Sequence, residues 1–242
     1  MGAQRDTVLV TGASRGIGRA IAQRLIEDGF QIVNLDKEAP LKLLSYESFI
    51  QVDLSDEAAL RSALDHVLKN HSITRLVNNA GIVRPANIDH TTSADLFAVM
   101  NVNLAAAIIC TQALLPGMRA AHFGRIVNIS SRAALGKGER IAYASSKAAL
   151  LGFTRTLALE VASDGITVNA IGPGPISTEL FESANPPGSL ATQRILENIP
   201  LGRIGQPEEV AHLVASLLDE RAGFTTGQVI YVCGGMTVGL SQ

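Results

Sequence analysis

Tyr143 and Lys147, in the run YASSK, stand four residues apart. On a helix that spacing puts both side chains on one face, one turn from each other. A phenol and an amine so placed can converge on one target. A tyrosine ordinarily ionises at about 10, too high for a good base near neutrality, and an adjacent ammonium favours the phenolate. The pair is therefore expected to move a proton at an oxygen atom, with Lys147 lowering the phenol. Singly, each residue reads more simply, as a half-buried core tyrosine and a solvated lysine. The assignment depends on what else the chain brings to the same place.

A second constellation, TGASRGIG, spans Thr11 to Gly18, after an apolar run and at the head of a helical pattern. Gly12 permits a tight turn, Gly16 lets a bound group approach the backbone, and Gly18 lets helix pack closely on strand. The free N–H groups and positive dipole end of the helix suit a pyrophosphate. The spacing is GxxxGxG; the triphosphatase pattern GxxxxGK[ST] does not occur. Asp36 closes the next strand, QIVNLD, where a dinucleotide fold places the adenosine ribose. A carboxylate there accepts from both ribose hydroxyls and repels a 2′-phosphate. The reading is NAD, with NADP as the alternative because Arg15 can assist a 2′-phosphate.

These groups need a scaffold. Apolar β-branched runs alternate with helical patterns: TVLVTG, QIVNLD, SFIQVDLS, RLVNNAG, GRIVNISS, GITVNAIGPG and GQVIYVCGG read as seven strands. The intervening helices include Gly16–Gly29, one from Asp56 to Asn70, and a long apolar one from Ala94 to Ala121 that Pro116 should bend or end. Another runs from Ala142 to Ser163. Strands apolar on both faces, joined by helices, indicate a mostly parallel sheet covered on both sides. A single domain over residues 1–242 is expected. Its one loose region is Glu182 to Gln193, whose Asn-Pro-Pro-Gly breaks helix and strand, within a lid segment at about 176–200.

Composition excludes several functions. A net charge of −2 with scattered basic residues offers no field for nucleic acid or anionic membranes. Cys110 and Cys233 are far apart and no metal-ligand spacing occurs, so reduced thiols and no metal are expected. No signal peptide or membrane-spanning run is read, which makes a cytoplasmic protein the expectation.

Taken together, TGASRGIG, Asp53 in VDLS, NNAG, NVNL, NISS before YASSK, and PGPISTE resemble the short-chain dehydrogenases/reductases over nearly the whole chain, in particular single-domain 3-oxoacyl-carrier-protein reductases. The resemblance implies a doubly wound α/β Rossmann-type fold, a seven-stranded parallel sheet with three helices on each side, and a homotetramer. It makes Tyr143 the catalytic acid/base, with Lys147, Asn103 and a serine as its partners. Strand register favours Ser131 for that serine; loop length favours Ser130. Cofactor contacts carry over to Gly12, Ser14, Arg15, Gly16, Ile17, Gly18, Asp36, Asp53, Leu54, Asn79, Ala80 and Gly81. They continue with Tyr143, Lys147, Pro173, Ile176 and Thr178.

In those roles Ser131 donates to the substrate oxygen, Lys147 also holds the nicotinamide ribose, and Asn103 holds a water linking Lys147 to solvent. The expected activity interconverts a secondary alcohol and a ketone with NAD(H). The alternatives are a 3-oxoacyl-thioester reductase using NADPH and a catalytically silent NAD-binding redox sensor. Carrier-protein reductases place basic residues where this chain has His122 and Asp164, and Asp164 has the wrong sign for an acyl-carrier partner. Arg84, Arg132 and Arg140 are candidates for pairing with a substrate carboxylate, although each alone reads as a solvated surface arginine.

Overall fold

A computed structural model describes residues 5–186 and 188–238. Seven parallel strands run in the order β3-β2-β1-β4-β5-β6-β7. They are β1 (Thr7–Thr11), β2 (Gln31–Asp36), β3 (Glu47–Gln51), β4 (Ile73–Asn78), β5 (Gly124–Ile129), β6 (Ile166–Pro173) and β7 (Val229–Val232). The central strands are buried along their whole length, as apolar residues on both faces require. Chain order reverses between β1 and β4, so a crevice opens above the carboxyl ends of those two strands.

One face carries α2 (Glu57–Asn70), α4 (Ala106–Ala120) and α5 (Ile141–Val161), whose Leu60, Leu64, Leu114, Met118, Leu157 and Val161 pack on Leu9, Val33, Leu76 and Ile126. The other carries α1 (Gly16–Glu27) and α8 (Pro207–Leu218), through Ile21, Leu25, Val210 and Val214 on Val8, Val10, Ile32 and Val77. Three helices were expected on each side, and this second face has two. The connection from β2 to β3, Lys37 to Tyr46, is too short for a crossover helix and forms turns instead. Leu41, Leu43 and Tyr46 on it are exposed.

The long apolar helix is not continuous. It comprises α3 (Ser93–Met100), a π-helical stretch (Asn101–Ala105) and α4. Pro116 neither ends nor breaks it: α4 continues to Ala120. Pro116 and Gln112, whose carbonyl loses its partner, are both on the exposed side, where water can meet the orphan. Contrary to the sequence reading, Ser93–Ala120 is long and apolar enough to cross a bilayer, at a mean hydropathy of 1.7. It is laid against α2, α5 and the strands β4 and β5, so the apolarity serves the core. The region expected to be loose is mostly helical: α6 (Glu179–Ala184) and α7 (Leu190–Glu197) flank the break at Asn185–Pro186. Pro187 lies outside the described residues.

Candidate active site

The crevice at the switch point is a cleft of about 480 Å³. The glycine-rich turn forms its floor, through Gly12, Arg15, Gly16, Ile17 and Gly18. Asp36, Asp53 and Leu54 line one end; Asn79, Ala80 and Gly81 line the side, and Thr178 closes over it. Of the sequence-derived cofactor residues, Ser14, Tyr143, Lys147, Pro173 and Ile176 stand outside this wall. Ile176 is buried in the core against Gly205, so its side chain is unavailable to a ligand.

The turn is a cradle that side chains would fill. Gly12 has a φ of +69°, and a Cβ there would meet Ala80 Cα at 2.9 Å. A Cβ on Gly18 would lie 2.0 Å from the Gly12 carbonyl oxygen. Asn79 fixes this geometry by donating from Nδ2 to the carbonyls of Thr11 (3.0 Å) and Gly12 (2.9 Å), while the Thr11 hydroxyl accepts from the backbone of Asn79 and Ala80. The bare backbone at the start of α1 fits a pyrophosphate.

At the ribose end, Asp36 accepts from the Ser14 N–H (3.1 Å) and the Glu38 N–H (3.3 Å). The two nearby cations are already held: Arg15 pairs with Glu38 at 3.0 Å and Lys37 with Asp53 at 2.7 Å. The Lys37 hydrogen bond, with help from Ser55, lowers Asp53 to about 2. Three residues that the sequence reading passed over support this end. Buried Asn34 on β2 accepts from Ala13 N–H (3.1 Å) and donates to the Ser14 hydroxyl (3.2 Å) and to Glu47 (3.0 Å), which in turn binds Arg19. No local pattern announces them, because the side-chain bonds that join Asn34 to Ser14 and Glu47, and Glu47 to Arg19, span at least 13 residues of chain.

Tyr143 lies in the first turn of α5 and Lys147 one turn later, with Lys147 Nζ 5.7 Å from the centre of the Tyr143 ring. The two face each other. Lys147 is buried, and Nζ donates to the Ile129 carbonyl at 2.7 Å. Ser131 follows β5 and caps a short turn of 3-10 helix by accepting from Ala133 N–H. It is Ser131 that hydrogen-bonds Tyr143. Ser130 is buried and donates to the Lys147 carbonyl at 2.7 Å.

The electrostatics differ from the expectation. Tyr143 is raised, not lowered: burial outweighs the hydrogen bond from Ser131 and the charge of Arg140. Lys147 has no carboxylate beside it, and burial brings it down to about 8. An amine that ionises at about 8 sheds its charge in mildly alkaline solution, where it becomes a weaker lever on the phenol than an ordinary ammonium.

Asn103 is held by three hydrogen bonds to protein groups. It sits in the π-helical stretch, a common feature of functional helices. Its Oδ1 accepts from Ile82 N–H (2.8 Å) and its Nδ2 donates to the Ile82 carbonyl (3.1 Å) and to the Ser146 hydroxyl (2.9 Å). The amide is thus spent on clamping the chain just after Gly81. That clamp joins the two halves of the site: a methyl group on Gly81, in the cleft wall, would lie 3.2 Å from Lys147 Nζ and 3.3 Å from Asn103 Oδ1.

Arg140 acts on the phenol through its charge. Arg84 lines the cleft, and the segment beyond it pairs with the Arg140 segment through an Ala86–Arg140 bridge. Lys137 is lowered by burial and then by the charges of Arg140 and Arg132. Among the described residues none of these four forms an ion pair.

Known proteins resemble this chain throughout. The family profile described as Enoyl-(Acyl carrier protein) reductase matches residues 12–237. An acetoacetyl-CoA reductase of Shinella zoogloeoides is 40% identical over 94% of this chain and 96% of its own length. A 3-oxoacyl-[acyl-carrier-protein] reductase of Pseudomonas aeruginosa is 38% identical, covering 98% of this chain and 99% of that one. A structure of ElxO with NADP bound matches with a TM-score of 0.90 at 30% identity, over 96% of this chain and 99% of that one.

Proposed function

The chain belongs to the short-chain dehydrogenase/reductase family, and from that premise we propose that it interconverts a secondary alcohol and a ketone with a nicotinamide dinucleotide, using Tyr143 as acid/base. The observation that carries the reading is Gly81, where the glycine-rich cleft meets Lys147 and Asn103, which stand beside Tyr143 and Ser131.

A bound nicotinamide supplies the hydride donor or acceptor. The chain's own residues handle the proton and the geometry. Ser131 orients the reacting oxygen against the phenol. The raised Tyr143 holds its proton at neutral pH, so it is ready to protonate a carbonyl oxygen during reduction, and in the reverse direction the phenolate takes the proton back. Lys147, fixed by Ile129, is placed to hold the nicotinamide ribose and to tune the phenol. Asn103 keeps the Gly81–Ile82 wall in register with both.

NAD is the proposed cofactor. Asp36 occupies the ribose end, and the cations that a 2′-phosphate needs are bound by Glu38 and Asp53. The NADP bound to ElxO weighs toward the alternative, and kinetics with both dinucleotides decide between them.

A second reading, reduction of a 3-oxoacyl thioester, is favoured by the names of the two relatives and by Arg140, which acts on the phenol, and Arg84, which lines the cleft, neither of them in an ion pair among the described residues. A substrate bearing a carboxylate or the phosphates of coenzyme A would meet Arg84, Arg132, Lys137 and Arg140. A carrier protein fits less well, because Asp164 carries the wrong charge and is paired with Arg119 at 2.9 Å. The reading includes a cytoplasmic location and a homotetramer. Phe97 on α3 and Leu159 on α5, both exposed, are apolar surface that a second copy would cover.

The test follows dinucleotide absorbance with 3-oxoacyl-CoA, the matching 3-oxo acid and neutral ketones, each with NADH and NADPH. Turnover of any carbonyl supports the first reading, and a preference for the anionic members supports the second. Tight dinucleotide binding without turnover on the whole panel points instead to a redox sensor.

A further inference from the structure

The β2–β3 connection has no helix to hold it, and the contacts that hold it instead lead to the glycine-rich turn. Glu47, the first residue of β3, has a fully buried carboxylate. Arg19 of α1 binds both its oxygens through Nη1, at 2.9 and 2.7 Å, and reaches the Lys42 carbonyl through Nη2. Leu44 N–H adds a bond at 2.9 Å. The remaining donor to Glu47 is Asn34 Nδ2, at 3.0 Å.

A carboxylate only accepts, so it dictates which way the Asn34 amide faces. One N–H goes to Glu47 Oε1 and the other to Ser14 Oγ at 3.2 Å, and Oδ1 is left turned to Ala13 N–H at 3.1 Å. Every hydrogen-bonding atom of the buried amide is then used. The Ser14 hydroxyl, accepting from Asn34, keeps its proton for another acceptor; it stands outside the cleft wall, next in the chain to Arg15 and two residues from Gly12, which are both in it. A charge at the start of β3 thereby fixes a donor beside the cleft.

We propose that Glu47 and Asn34 are positioning residues that set dinucleotide affinity by orienting the Ser14 hydroxyl and pinning the Ala13 N–H. The proposal rests on the dinucleotide-binding reading given above. It assigns a role to three polar residues, Arg19, Asn34 and Glu47, that touch neither cofactor nor substrate.

The experiment measures NADH binding by nicotinamide fluorescence, kcat at saturating dinucleotide, and thermal stability of each variant. Asn34→Leu keeps the shape and removes the hydrogen bonds; it should weaken NADH binding by about tenfold or more, the effect of one donor lost to a charged group. Its kcat at saturation should stay within about twofold of the parent, because affinity and not chemistry is altered. Glu47→Gln should weaken binding less, since an amide can still accept from Asn34. Ser14→Ala should match Asn34→Leu, and Ser14→Thr, which retains the hydroxyl, should recover most of the affinity. The Asn34→Leu/Ser14→Ala double variant should bind no worse than the weaker single variant, because residues acting in series are not additive. Parent-like NADH affinity in Asn34→Leu, or additive losses in the double variant, would overturn the proposal. If Asn34→Leu does not fold, equal binding by Ser14→Ala and the parent overturns it just as well. A parent that binds neither NADH nor NADPH overturns the functional reading and the proposal together.

Discussion

The glycine-rich turn and the segment after β6 keep their shapes by opposite means. The turn is tied to distant strands: Ala13 and Ser14 to β2, 21 and 22 residues on, and Asn79 back to Thr11 and Gly12 across 68 and 67. Among the described residues, the segment after β6 is pinned at its ends by Ser177 N–H on the Gly205 carbonyl and Leu201 N–H on the Gly234 carbonyl. Between them the side-chain bonds of Ser177, Thr178 and Thr192 are local. Ser177 reaches Glu182, Thr178 caps α6 at Phe181 N–H, and Thr192 returns to Ser189 and Pro186. A region bonded across the sheet cannot shift without breaking the core, whereas a locally bonded one opens at lower cost. On the proposed function, the molecule would hold the dinucleotide on a fixed cradle and cover the substrate with a piece that can adjust.

The sharpest break between the two regions should come at the residue that serves both. Tyr143→Phe removes the proton carrier and leaves the cradle untouched. Turnover should fall by about 10²–10⁴-fold, the usual worth of general acid–base help, with NADH affinity unchanged by fluorescence titration. Comparable losses in both would mean that Tyr143 shapes the cradle, and the division into two regions would fail.

A smaller effect is expected at the ribose end. Asp36→Asn removes the charge that opposes a 2′-phosphate. The ratio of kcat/KM for NAD over NADP should move toward NADP by about tenfold, the size of one lost charged contact. Substrate KM should not follow, since Asp36 belongs to the cradle alone. A ratio that stays put would place the discrimination in the Arg15–Glu38 and Lys37–Asp53 pairs.

The same contrast explains what was legible in the sequence. The seven strands, their parallel sheet and the glycine turn follow from apolar β-branched runs alternating with helical patterns and from backbone positions that only glycine fits. The Tyr143–Lys147 relation follows from helical spacing alone. The Asn34–Glu47–Arg19 relay was invisible because Glu47 opens an ordinary-looking strand, and its burial arises from a partner 28 residues earlier. The π-helical turn at Asn101 leaves no compositional mark. The protonation states were misread for a physical reason: sequence proximity suggested a charge–charge effect, and burial acts in the opposite direction on both groups. The helices α6 and α7 were missed because Asn-Pro-Pro-Gly breaks the chain between them, and the reading spread that break over its neighbours.

Lys147 provides a third, weaker test, because it sits at the join. It ionises at about 8 in the folded chain against 10.5 ordinarily. Below about 8 both states carry the proton, and folding bears the cost of burying a charge. From there to 10.5 the unfolded chain holds a proton that the folded one has shed, so the stability contributed by this group rises with pH. Lys147→Met, measured by urea unfolding without dinucleotide, should therefore gain on the parent near pH 7 and lose that advantage by about pH 10. The lost bond to Ile129 adds an offset that pH does not change. A gap constant across this range would show that the buried amine ionises as it does in the unfolded chain.

The smallest effect is expected in the segment after β6, and its smallness is the point. Ser189 caps α7 by accepting from Thr192 N–H at 3.2 Å. Losing such a cap costs about 1 kcal/mol of helix stability. In the glycine turn a loss of that size would spread through β2 and β4 to the cofactor. Here the bonds close within a few residues, so Ser189→Ala should leave the global unfolding midpoint and NADH affinity near those of the parent. The change should surface as a raised KM for the carbonyl substrate and faster cleavage near Asn185 in limited proteolysis. A drop in NADH affinity from so local a change would show that the cover and the cradle move together, and that the end contacts at Gly205 and Gly234 transmit what the interior of the segment does.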